Sequence, residues 1–144
     1  MTSKAKFTAK KSITIHASIA KVWDALTNPS LIKQYFFGVD VFTNWTVGSP
    51  ILYRGVWQGK AFEDKGTILK IEPERRLVCN YWSSFSGLPD LSENYQKVTY
   101  TLSHTKEGIH LTITQDNIPT EESKNHSEKN WSMVLESLKK LVEK

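Results

Sequence analysis

Glu63-Asp64 is an adjacent acid pair set among strand-forming stretches. Two carboxylates can do general acid–base work when burial raises the pKa of one of them. Successive strand residues point to opposite faces, so at most one of the pair can enter an interior. With Lys60 and Lys65 alongside, the expectation is a solvent-facing pair. His16, His104, His110 and His126 are dispersed, and Cys79 has no second cysteine, so no metal site is expected. No G-x-S-x-G elbow, P-loop or G-x-G-x-x-G occurs. No catalytic residue is assigned, and no cofactor is expected.

The aromatics offer more. Sixteen rings, five of them Trp, must fill a core or line a hollow. Tyr53 and Trp57 share one face of a predicted strand. Trp82 and Tyr100 come from two further strands, and Trp131 and Leu135 from a helix. Rings with a few polar tips are the usual lining of a small-molecule pocket. These six residues are the candidate ligand-binding set; that they simply fill the core is the other reading, and both stay open. Leu77, Cys79 and Tyr81 face opposite to Trp82, and spacing alone leaves open which set is inside. Phe85, Leu88 and Leu91 are apolar residues in the otherwise polar stretch Ser83–Asn94. A connection of that length is uncommon and is often functional. It is expected to lid the mouth of a cavity.

The elements that must carry these residues follow from periodicity. Ile13 and Ile15 alternate with polar neighbours in a strand over 7–16. Ser18 caps a short helix, 19–27, with Val22, Trp23, Ala25 and Leu26 apolar. Asn28-Pro29 opens a second, which Gly38 ends. The period then becomes two, predicting strands at 39–44, 49–58, 62–72, 76–83, 96–105 and 108–116, joined mostly by short turns. Over 120–143, Trp131, Val134, Leu135, Leu138, Leu141 and Val142 form one helical stripe. An antiparallel seven-stranded sheet needs its apolar face covered, and only this last helix is long enough. The fold class is therefore α+β, a helix-grip fold: a curved seven-stranded antiparallel sheet wrapped around a long C-terminal helix, with two short helices after the first strand.

Bulk properties narrow the setting. The net charge of +4 comes from Lys4, Lys6, Lys10 and Lys11, since the remaining 133 residues carry 15 basic and 15 acidic side chains. A solvated tail over 1–6 is expected, with no nucleic-acid stripe. One cysteine excludes an internal disulfide and reads as a buried thiol. No apolar run reaches membrane-spanning length, and none follows the basic start as a signal would. No membrane insertion is expected. One cytoplasmic, soluble domain over 1–144 is expected, and the sequons at Asn44, Asn125 and Asn130 read as chance.

Ordered motifs then carry a resemblance. Val22-Trp23-Asp24-Ala25-Leu26-Thr27-Asn28-Pro29 is similar to the opening signature of Hsp90-ATPase-activator-homologue domains, in the START-like (SRPBCC) superfamily. Trp45 to Pro50, Gly55-x-Trp57-x-Gly59, Glu63 to Gly66 and Pro73-x-x-Arg76-Leu77 resemble its middle strands. Tyr100-x-Leu102, Gly108, Leu111-Thr112 and Trp131-x-x-Val134-Leu135-x-x-Leu138 continue the match to the end. Ala17-Ser18 departs from a Pro often found there. The resemblance implies a cavity between sheet and last helix that binds a small hydrophobic ligand without catalysis, with a stress-related role. It also implies two alternatives. One is contact with a chaperone of the Hsp90 class, for which the naming co-chaperone uses a further domain that this chain has no room for. The other is cyclase or hydratase chemistry on a cavity carboxylate or Tyr.

Overall fold

The computed structural model describes residues 6–144, so the tail expected over 1–6 lies, but for exposed Lys6, outside the described residues. The chain runs β1 (Phe7–Ile15), α1 (Ile19–Thr27), α2 (Pro29–Tyr35), β2 (Asp40–Phe42), β3 (Pro50–Trp57), β4 (Lys60–Glu72), β5 (Arg76–Tyr81), β6 (Gln96–Thr105), β7 (Gly108–Ile118) and α3 (Glu121–Val142). Seven strands form one antiparallel sheet in the order β1-β7-β6-β5-β4-β3-β2. This is the expected helix-grip fold. Lys10 and Lys11 stand on β1, paired with Thr114 and Ile113, rather than in a frayed end.

Local chemistry sets the boundaries. The side chains of Ser18, Asn28 and Thr120 accept the backbone N–H of Lys21, Ser30 and Ser123, capping the three helices. Gln58 and Gly59 both hold positive φ, which closes a two-residue hairpin and lets β4 begin at Lys60, earlier than the spacing predicts. β5 stops at Tyr81, and Trp82 keeps only a single bridge to Lys65. Between that bridge and the Ile68–Cys79 pair the ladder opens. Thr67 N–H donates to the Asn80 side-chain amide at 2.6 Å instead of to its backbone. A Cβ on Gly66 would collide with the Asn80 carbonyl, so only glycine permits this turn of the chain.

Buried Ile15, Leu102, Ile109, Leu111 and Ile113 on the sheet meet Val134, Leu135, Leu138 and Val142 of α3 in one core, with α1 and α2 closing one end. No helix among the described residues is long and apolar enough to cross a membrane.

α3 is also bound along the outer edge of β1. Glu128 accepts Lys10 N–H at 3.2 Å, and Lys139 Nζ donates to the Thr14 carbonyl at 2.7 Å. Glu143 accepts both His16 N–H and Lys139 Nζ at 2.7 Å. The His16 N–H, followed by Lys139, holds the Glu143 carboxyl below the usual carboxylate range. A lowered pKa in the fold means that the clamp contributes in full above the unfolded carboxyl range and is lost as the pH falls through the folded value. Glu143→Ala should therefore lower the melting temperature at pH 7, with the gap from wild type closing as both are taken into strong acid. Thermal denaturation across pH 2–7 checks this; a gap that persists unchanged in acid would refute the clamp.

Candidate functional site

A hollow lies between the inner face of the sheet and α3. Tyr35 from α2, Phe36 just after it, Trp45 from the β2–β3 link, Tyr53 from β3, Tyr100 from β6 and Trp131 from α3 supply its rings. Leu77 and Cys79 of β5 complete the sheet side, so this set, with Tyr81, is the inward face of β5. Among the described residues, no Lys, Arg, His, Asp or Glu lines the space. Its volume is about 30 Å³. That is room for a water or two, against the roughly 300–1,000 Å³ of common ligand pockets. The rings meet as a chamber and nearly fill it.

Trp131 organises the chamber. Its indole N–H donates to Gln115 Oε1 at 2.8 Å, and the Gln115 amide donates in turn to Gln96. Its ring meets Phe36 and Tyr100 edge-on, with centroids 5.8 and 6.0 Å apart. Tyr35 donates its hydroxyl to the Ala25 carbonyl at 2.8 Å.

Tyr53 and Tyr100 differ. Neither hydroxyl has a hydrogen-bond partner among the described residues, yet no buried side-chain oxygen or nitrogen is left unpaired there. Both phenol oxygens therefore keep open surface. Burial, with a smaller push from Tyr100 on Tyr53 and from Cys79 on Tyr100, raises both pKa values well above the usual phenol. Burial likewise pushes the Cys79 thiol up to about 12. Every ionisable group on the lining is thus neutral at physiological pH.

The acid pair splits. Glu63 is on the surface, with Arg54 Nε at 2.5 Å. Asp64 departs from the expected solvent-facing pair: it is 5% exposed, the one buried carboxylate among the described residues. It accepts the Tyr81 hydroxyl at 2.6 Å, Ser84 N–H at 2.9 Å and Ser84 Oγ at 3.1 Å. No three His, Cys, Asp or Glu side chains converge among the described residues.

Of the six candidate lining residues, the structure brings Tyr53, Tyr100 and Trp131 around the hollow. Leu135 is buried in the adjoining core. Trp57 sits at the β3–β4 hairpin tip opposite Lys60, 57% exposed. Trp82 bridges Lys65, whose neighbour Asp64 pairs with inward Tyr53, so Trp82 is on the outer face. In the loop, Phe85 packs on Phe62 at 5.4 Å beside the chamber. Leu88 instead lies by Trp82, whose indole donates to its carbonyl at 3.2 Å, and Leu91 is exposed. Sequence reasoning missed Gln115. Its signal was a polar residue on the apolar alternation of Ile109, Leu111 and Ile113.

Burial of Cys79 yields a direct check. The thiol should resist a thiol-reactive chromogen in the native protein at pH 8 and titrate as one equivalent in guanidinium; rapid native reaction would show that the chamber is open.

The fold has counterparts. The family described as Activator of Hsp90 ATPase homolog 1-like protein matches residues 16–143. The solution structure of a Cytophaga hutchinsonii protein is 47% identical, covering 95% of this chain and 94% of that one, with a TM-score of 0.82. The solution structure of the Aha1 dimer from Colwellia psychrerythraea is 21% identical, covering 95% and 96%, with a TM-score of 0.76. The crystal structure of a protein in the dynemicin biosynthetic locus is 20% identical, covering 94% of this chain and 47% of that one, with a TM-score of 0.76. No curated protein sequence matches the chain.

Proposed function

The chain belongs to the Activator of Hsp90 ATPase homolog 1-like family, and from that premise we propose that it binds a small, uncharged, largely apolar molecule between sheet and α3, without catalysis. The observation that carries this reading is the pair of hydroxyls, Tyr53 and Tyr100, which line an aromatic chamber and have no hydrogen-bond partner among the described residues. Each keeps accessible surface and so offers an occupant a hydrogen-bonding position that a neighbouring protein group does not take. The lining carries no cation to pair a carboxylate and no anion to pair an amine. Charge would be stranded there, and neutral guests are selected.

The chamber holds about 30 Å³, so a guest larger than a water or two enters only as rings swing aside. A structural neighbour in the dynemicin biosynthetic locus supports a small-molecule role. Asp64 gives both oxygens to Tyr81 and Ser84, which counts against the cyclase or hydratase alternative. We read the chain as one domain working in the cytoplasm.

The test uses the neutral carbonyl-bearing fluorophore prodan. Its emission should shift to the blue and saturate on titration with the protein, and naphthoate should fail to compete at neutral pH. Tyr53→Phe and Tyr100→Phe should each weaken prodan about three- to tenfold, the worth of one neutral hydrogen bond. Unshifted emission, with Nile red equally silent, would remove the binding role.

The family description favours a second reading, stimulation of an Hsp90 ATPase, and the exposed rings of Phe37 and Trp57 offer apolar contact surface for it. Excess protein should then raise the ATPase rate of purified Hsp90, and Trp57→Ala should abolish the gain; an unchanged rate would dismiss this role.

A further inference from the structure

We propose that Tyr81 couples the chamber to the Ser83–Asn94 connection, so that admitting a guest and loosening that connection are one event. The guest side of this inference rests on the binding role proposed above; the coupling itself rests on contacts within the protein.

The connection is fastened to β4 from both faces. On the inner face Asp64 holds Ser84 by its N–H and its hydroxyl. On the outer face the next residue, Lys65, forms an ion pair with Asp90, whose carboxylate also accepts the Tyr95 hydroxyl at 2.5 Å. Asn117 donates to the carbonyls of Glu93 and Tyr95 at 3.1 and 2.9 Å, fixing the far end. The outer and far fastenings touch nothing in the chamber. The inner one does.

Tyr81 belongs to both sides. Its ring meets Tyr53 edge-on, with centroids 5.6 Å apart, and Tyr53 lines the chamber. Its hydroxyl donates to Asp64 at 2.6 Å, on the carboxylate that holds Ser84. A carboxylate with three donors is strongly held, because charge-assisted hydrogen bonds exceed neutral ones and polarise one another. A phenol ring is rigid, so its hydroxyl cannot keep a 2.6 Å bond while the ring is displaced. Tyr53 lines a chamber of only about 30 Å³, so a guest that displaces Tyr53 to make room disturbs its contact with Tyr81. Displacing Tyr53 therefore draws the Tyr81 hydroxyl from Asp64 and weakens the hold on Ser84, whose neighbour Phe85 packs on Phe62.

Amide hydrogen exchange tests the coupling with and without a guest, in wild type, Tyr81→Phe, Tyr53→Leu and the double variant. Tyr81→Phe keeps the ring and loses only the hydroxyl. It should speed exchange at Ser84 and Phe85 about tenfold. Tyr53→Leu should do so to a similar degree, and the double variant should exceed neither single by much, since both act through one bond. Amides of β6 and β7, unchanged throughout, certify the fold. Adding prodan should speed the same amides in wild type and add nothing in Tyr81→Phe. Wild-type exchange at Ser84 in Tyr81→Phe, or multiplying effects in the double variant, would overturn the coupling. So would prodan binding that leaves Ser84 protected, with the binding role intact. Absent prodan binding alongside non-additive variants would remove the binding role and leave the coupling standing.

Discussion

Trp131 pins the long helix to the sheet through contacts of two kinds. Its N–H reaches Gln115 on β7, and its ring edges meet Tyr100 on β6 and Phe36 after α2. A helix of 22 residues draws its stability in water chiefly from packing an amphipathic face, not from propensity. Packing alone tolerates a slide of one turn; a buried indole N–H that needs one particular amide does not. Gln115 is itself held by Gln96, so the register of α3 is written into the sheet two strands deep. The chamber exists because this register places a large ring, and not a leucine, opposite Tyr100.

Much of this was legible from spacing. The β6 alternation of Val98, Tyr100 and Leu102, the α3 stripe and the caps at Ser18 and Asn28 depend on local rules, and they stand where those rules put them. What spacing lacked was parity across irregularities. Trp82 follows a break in the β4–β5 ladder that depends on Gly66 and on an Asn80 side chain standing in for backbone. Trp57 has the inward parity of Tyr53, but the tight Gln58-Gly59 turn carries it past the end of the core. Asp64 is buried because Ser84, twenty residues away in sequence, brings donors to it. Each of these outcomes depends on a non-local partner, which periodicity does not encode.

The chemistry of the interior is one of restraint. Cys79, Tyr35, Tyr53 and Tyr100 are all held in their neutral forms by burial. The buried carboxylate is spent on organising a connection. What such an interior does well is discriminate by shape and hydrogen-bond placement, which fits the binding role proposed for it and suits a family whose members share a fold across low sequence identity.

The side chains that α3 lends to β1 have a consequence beyond the single molecule. An outer strand with free N–H and C=O groups is a template on which another chain can zip, and long open strands invite fibrils. Here the Lys10 N–H, the Thr14 C=O and the His16 N–H are occupied by Glu128, Lys139 and Glu143, while the opposite border, β2, is only three residues long. The helix that fills the grip thus also takes up part of the sheet's pairing edge, and the same three charged residues guard it against a second strand.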